Sequence, residues 1–279
     1  MAPRLPTAGV NASDRVCDDP PVQVVDDSAR RVTLRREVLL VLGVSLGASA
    51  VYSVVSLIAK LTAPAPLSAQ TTAMNQSQAP GRPWLDLTYQ LLGIFFAIVP
   101  ALLALHLLGR DGGGDRSAWR RLGVDARRPW FDLGTGMLLA AVIGIPGLGL
   151  YVAARELGLN TVVAAANLPD VWWALPVLIL AAAGNGVLEE VVVVGYLLTR
   201  LQEMGWRTWH AVLASSLLRG TYHAYQGFGA FIGNAVMGAV FALFFLRTKR
   251  VLPLVIAHTV LDVVAFLGYT LLRDHVSFL

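Results

Sequence analysis

The sequence has one cysteine, Cys17, so no intramolecular disulfide can form. Lysine occurs only as Lys60 and Lys249, the other basic residues being arginine. Charge is scarce: Asp, Glu, Lys and Arg make up 14% of the 279 residues, against about 25% in soluble domains. No internal repeat is visible, which weighs against the repeat-built transporter folds. The glycines at 112–114 have no Lys-Ser/Thr pair after them, so they do not read as a phosphate loop. What fills the chain instead is apolar: 56% of residues are hydrophobic and the mean hydropathy is +0.61.

Apolar stretches at about 38–59, 85–108, 131–153, 171–199, 208–225, 228–246 and 251–272 approach or exceed the roughly 20 residues that cross a bilayer as a helix. Only "YQGFG" separates the fifth from the sixth. The expectation is an all-α fold, a polytopic transmembrane helical bundle of about seven spans. With the N-terminus inside, 17 of the 22 Lys and Arg fall on the inner side. Lys60, Arg82, Arg155 and Arg273 fall outside, and Arg219 lies within a span. That asymmetry is what the positive-inside rule expects. The pI near 9.5 therefore reports orientation and contact with anionic lipid, not nucleic-acid binding. The first apolar run follows too long and charged a leader for a cleaved signal peptide. The place expected is the inner (cytoplasmic) membrane, with multiple passes.

Three regions follow. Residues 1–30, with "VCDDPPVQVVDD", read as a disordered cytoplasmic tail. Residues 31–165 hold N-terminal transmembrane helices and loops, including a flexible outer loop at 61–82 and a basic, lipid-facing inner loop at 109–130. Residues 166–279 form a C-terminal helical core. Trp84, Trp130, Trp172, Trp173, Trp206 and Trp209 fall at span ends, as an aromatic belt does.

The ionisable groups deep in the spans gather in the C-terminal region: Glu189 and Glu190, Arg219 and His223, His258 and Asp262. Each costs about 2.5–3.5 kcal/mol at mid-membrane, so they should face one another or water. Arg219 and His223 are four apart and share a helix face, as do His258 and Asp262. Adjacent Glu189 and Glu190 diverge by about 100° on an α-helix. Asn185 lies one turn before Glu189, which assigns Glu189 to the polar interior and leaves Glu190 to orient a neighbour or pair with Arg219. Two imidazoles, three carboxylates and a guanidinium on three helices suit activation of water, directly or on a metal. Taken singly, each has a plain structural reading, as a helix–helix hydrogen bond or a snorkelling side chain.

The stretches "LEEVVVVGYLLTRL", "SSLLRGTYHAYQG" and "IAHTVLD", in that order on successive spans, resemble the three motifs of the CPBP intramembrane proteases. That family includes the type II CAAX prenyl proteases and bacteriocin-processing or self-immunity (Abi-like) proteins. The resemblance covers about residues 170–270. It implies a CPBP-like catalytic core and hydrolysis of peptide bonds in a membrane-associated peptide or protein. It implies Glu189 as general base, His223 as a holder of the water, and His258 with Asp262 as stabilisers of the oxyanion. Glutamate-dependent and metal-dependent hydrolysis both stay open, the second with a divalent ion such as zinc on Glu189, His223 and His258. Two positions depart from the family: Val194 stands where it usually has Arg, and Arg219 where it often has Phe. The arginine is expected to have changed helix, Arg219 pairing with Glu190 or Asp262. The Arg- and Ala-rich usage is that of a GC-rich bacterial genome, so a bacterial peptide or membrane protein is the expected substrate, not a prenylated C-terminus. The alternatives are a non-catalytic scaffold or immunity-type protein that keeps the fold, and a proton-coupled transporter. Only the protease depends on Glu189 for cleavage.

Overall fold

The computed structural model describes residues 27–110, 115–272 and 275. The tail expected at 1–30 lies outside the described residues up to position 26, and the chain is helical from Asp27. The glycines at 112–114 and Arg273 also lie outside. Helices α1 (Asp27–Gly43) and α2 (Leu46–Leu61) are followed by strand β1 (Thr71–Ala73), the long α3 (Pro83–Arg110) and the short α4 (Asp115–Arg121). Then come α5 (Pro129–Glu156), strand β2 (Val162–Ala164) and α6 (Ala174–Glu189). Glu190–Tyr196 continues α6 as a π-helix into α7 (Leu197–Glu203). Helices α8 (Thr208–His223), α9 (Phe228–Thr248) and α10 (Leu252–Leu272) complete the described chain.

The result is an all-α polytopic bundle. By length and composition, α3, α5, the α6–α7 span, α9 and α10 can each cross a membrane. The α1–α2 pair, bent by 53°, adds a sixth if it is one broken span. Seven were expected, and α8 makes the difference. It has 16 residues, a rise of about 24 Å, and polar groups from Ser215 to His223 lower its hydropathy. The chain then turns at Gly227, whose φ of 123° requires glycine.

The α6–α7 span forms the centre. In its most apolar stretch 61% of residues are buried, against 11% for α5 on the periphery. Val192, Val193, Val194, Tyr196 and Leu198 are wholly enclosed there. An apolar run without period 3.6 is what a helix buried on all sides requires. Helices α3 and α10 pack on α6, α5 on α10, and α8 against both α2 and α9. The α8–α9 approach depends on Gly220: a Cβ there would sit 2.7 Å from the Phe231 carbonyl oxygen and 3.1 Å from the Ala235 Cβ.

Both ends of the bundle are tied more firmly than the sequence suggested. The loop at 61–82 is ordered. Strand β1 pairs in parallel with β2, Thr71 opposite Val162 and Ala73 opposite Ala164, and a bridge from Gln76 to Asn167 extends the pairing. Thr72 and Thr161 share a buried hydroxyl bond of 2.7 Å, and Leu67 and Ala79 are buried. At the opposite end, the 109–130 segment is no simple lipid-facing linker, because Ala118 and Leu122 are enclosed. Arg250, between α9 and α10, donates Nε and Nη2 to the two oxygens of Asp132, both at 2.6 Å, and Nη2 to Asp125 at 3.0 Å. Burial alone would raise the Asp125 carboxyl. The Arg127 amide and the Arg250 guanidinium instead hold it below the ordinary carboxylate value. Arg200 is also buried, between Glu37, Glu203 and the Leu107 carbonyl. Trp84, Trp130, Trp172, Trp206 and Trp209 are exposed as a belt requires, whereas Trp173, just before α6, is buried.

Gly220→Val forces side-chain carbons into the Phe231 backbone. It is expected to cost about 1–3 kcal/mol and to lower the thermal midpoint of the detergent-solubilised protein. An unchanged midpoint would show that α8 and α9 can separate freely.

Candidate functional site

The site begins where α6 passes into the π segment. Glu189 is the last residue of α6 and Glu190 the first of the π-helix. The amide of Leu197 bonds to the Val192 carbonyl, five residues back. This wider turn takes more residues, so successive side chains diverge by less than the 100° of an α-helix. Both carboxylates reach one centre.

Glu190 is fully enclosed. Its Oε1 accepts Arg219 Nη2 at 2.6 Å and lies 2.7 Å from His258 Nδ1. Because a carboxylate oxygen accepts, Nδ1 carries the hydrogen of that contact. Arg219, also enclosed, reaches across from α8 with its guanidinium over the Phe241 ring. Glu189 is 8% exposed and has different neighbours. Its Oε2 accepts the Tyr222 hydroxyl at 2.7 Å and lies 3.7 Å from Arg219 Nη1 and 4.0 Å from His258 Nδ1. Asp262, one turn beyond His258 on α10, is 3.7 Å from His258 Nε2 and accepts Asn185 Nδ2 at 3.4 Å. His223 Nδ1 is 3.1 Å from the Arg219 carbonyl. Since a carbonyl can only accept, Nδ1 is the protonated nitrogen there and Nε2 points elsewhere.

Close helix packing makes these reaches possible. A Cβ on Gly186 would meet Thr259 Oγ1 at 2.9 Å and the Val255 carbonyl at 3.1 Å. Any larger residue would push α10, with His258 and Asp262, away from α6. The depth of the site is set by Arg219 and Tyr222, not by His223. Arg219 lies about 18 Å above Arg207 along α8, the depth at which it meets Glu190.

Among the described residues, the donor atoms that converge as a metal site would are those of Glu189, Glu190 and His258, within 4.8 Å of one another. His223 does not join them, and Glu190 takes the place expected for it. Two oxygens and one imidazole nitrogen suit a divalent ion, and Glu190 Oε2 is buried with no hydrogen bond. The three could therefore bind one, although Arg219 already adds positive charge at Glu190.

Tyr222 was not singled out in the sequence. Its position three residues after Arg219 places it on the same helix face, and that spacing is the signal that could have found it. Val194, where an arginine was expected by resemblance, is wholly enclosed among apolar neighbours, and Arg219 supplies the guanidinium beside Glu190.

Residues 171–264, a third of the chain, match the family model described as Type II CAAX prenyl endopeptidase Rce1-like. No curated protein and no solved structure matches the chain. The chain thus carries an Rce1-like domain, in agreement with the CPBP motifs. The family is one of type II CAAX intramembrane proteases, which are hydrolases.

A double-mutant cycle of Glu190→Gln and Arg219→Met, read by unfolding in detergent, is expected to be non-additive by about 1–3 kcal/mol. Additive effects would mean that the two charges do not stabilise each other.

Proposed function

We propose that the chain is an intramembrane endopeptidase of a bacterial inner membrane, N-terminus inside, in which Glu189 activates water against a peptide carbonyl. One contrast carries the reading: two adjacent glutamates share a centre, but Glu190 is enclosed by Arg219 and His258 whereas Glu189 keeps an accessible oxygen. A general base must be within reach of a water molecule, and Glu189 alone of the pair meets that requirement.

In this scheme Glu190 is an anchor. It fixes the proton on His258 Nδ1 and neutralises Arg219. With His258 protonated on both nitrogens, Nε2, on the far side of the ring beside Asp262, donates toward the space where an oxyanion would form, with Asp262 orienting the ring. Tyr222 holds the Glu189 carboxylate through one oxygen, so the other can take a proton from water and deliver it to the leaving amine. His223, its Nδ1 committed to the Arg219 carbonyl, offers Nε2 as a second contact for the water. If a divalent ion is bound, Glu189, Glu190 and His258 would hold it, and it would lower the pKa of a coordinated water.

Glu189→Gln keeps size and the Tyr222 contact but removes the base. In proteoliposomes offered a peptide library, this variant is expected to lose cleavage by at least about 10²-fold with an unchanged thermal midpoint. Retained cleavage would eliminate Glu189 as the base. A wild-type protein that cleaves nothing while folded would favour the scaffold. Mass spectrometry of the same samples separates the two hydrolytic routes. Stoichiometric zinc that is lost, along with cleavage, in His258→Ala would mark a metalloprotease.

A further inference from the structure

Beside the site, between α3 and α6, a cavity of about 530 Å³ runs from the β1 end of the bundle to Asn185. Its lining combines apolar side chains with four amides, Asn75, Gln78, Gln90 and Asn185. Two of them, Gln90 and Asn185, lie within membrane-crossing helices, where polar groups are costly and call for a function. Their hydrogen bonds show what they offer.

Each amide donates from its NH2 group to the protein. Asn75 Nδ2 donates to the Ala165 carbonyl at 2.8 Å, and Gln90 Nε2 to the Gln76 carbonyl at 2.9 Å. Gln78 Nε2 donates to the same Gln76 carbonyl at 3.2 Å, and Asn185 Nδ2 to the Asp262 carboxylate at 3.4 Å. Every partner is an acceptor oxygen, which fixes nitrogen and oxygen in all four amides. No hydrogen bond reaches the four amide oxygens among the described residues. Each of the four thus keeps one oxygen without a hydrogen bond. No charged side chain among the described residues lines the cavity, so a phosphate headgroup has no countercharge there. A peptide backbone, with an N–H at every residue and apolar side chains between, complements the four oxygens.

We infer that the α3–α6 groove binds an extended apolar peptide, its backbone N–H groups on the amide oxygens of Asn75, Gln78, Gln90 and Asn185. The inference rests on the peptidase reading for its purpose, since Asn185 is one turn from Glu189 and leads the chain toward it. The α3 side of the groove, Tyr89 to Ala97, is about 12 Å long, the length of three to four extended residues. Gly93 leaves this wall bare: a Cβ there would meet no atom within 4 Å. It is the place to fill the groove without disturbing the fold.

The test places p-benzoylphenylalanine at Tyr89 in the Glu189→Gln protein in phosphatidylcholine liposomes and cross-links a biotinylated Val/Thr peptide. The same peptide with N-methylated backbone amides is the control. Saturable cross-linking is expected to weaken about tenfold with the N-methylated peptide, and likewise with Gln90→Leu or Gly93→Leu. Equal cross-linking of both peptides would overturn the inference. So would loss of cross-linking when phosphatidylethanolamine, whose ammonium donates hydrogen bonds, replaces phosphatidylcholine. In the active protein, Gln90→Leu and Gly93→Leu are expected to raise KM about tenfold at unchanged kcat. Cleavage with an unaltered KM would sink the groove and leave the peptidase standing. Specific cross-linking without any cleavage by the wild type would do the reverse.

Discussion

The Glu190–Arg219 pair sets the terms for the rest of the molecule. Both side chains are wholly enclosed, and a buried charge that loses its partner typically destabilises a protein by about 3–5 kcal/mol. Neither residue can be satisfied by its own helix. Arg219 must arrive from α8, His258 from α10 and Glu190 from the central span, all at one depth. The tight approach of α6 to α10 at Gly186 is therefore a requirement of the charge cluster as much as of apolar packing. So is Gly238, where a Cβ would come within 3.2 Å of the Arg219 side chain.

With that pair in place, two neighbouring residues of one type acquire different chemistry. Glu190 is saturated on one oxygen by a guanidinium and an imidazole. Glu189 rests on a tyrosine hydroxyl and stays accessible. Adjacent carboxylates with unlike surroundings are what a site needs to keep one charge fixed and leave another to exchange protons. The groove amides extend this economy of contacts, since Asn185 both steadies Asp262 and shows its oxygen to the groove.

The long apolar runs were legible because a bilayer leaves the backbone little choice but helix. Hence α3, α5, the α6–α7 span, α9 and α10 fall close to where the sequence put them. Four-residue spacing likewise identified the shared faces of Arg219 with His223 and of His258 with Asp262. What stayed hidden has physical reasons. Strands "TTA" and "VVA" are three residues long and about ninety apart, too short for an alternating pattern, so the order of the 61–82 loop left no trace. Trp173 looks like its interfacial neighbour Trp172, and only the packing separates them. Tyr222 gives no ionisable signature at membrane depth. The divergence of the two glutamates was drawn on α-helical geometry, which fails where the π segment begins.

That segment has a consequence for the whole span. A π turn holds one residue more than an α turn would, so the helix before it and the helix after it are out of phase. Upstream, α6 presents its face to α3 and α10; downstream, α7 presents Arg200 to Glu37 of α1 and the Leu107 carbonyl of α3. One continuous helix thereby serves two incompatible registers. Removal of one valine between Val191 and Val194 would take out that extra residue and let the span close as plain α-helix, without the wider turn that brings Glu189 and Glu190 to one centre. The apolar valine run, bland in sequence, is a gear whose tooth count matters more than the identity of any tooth.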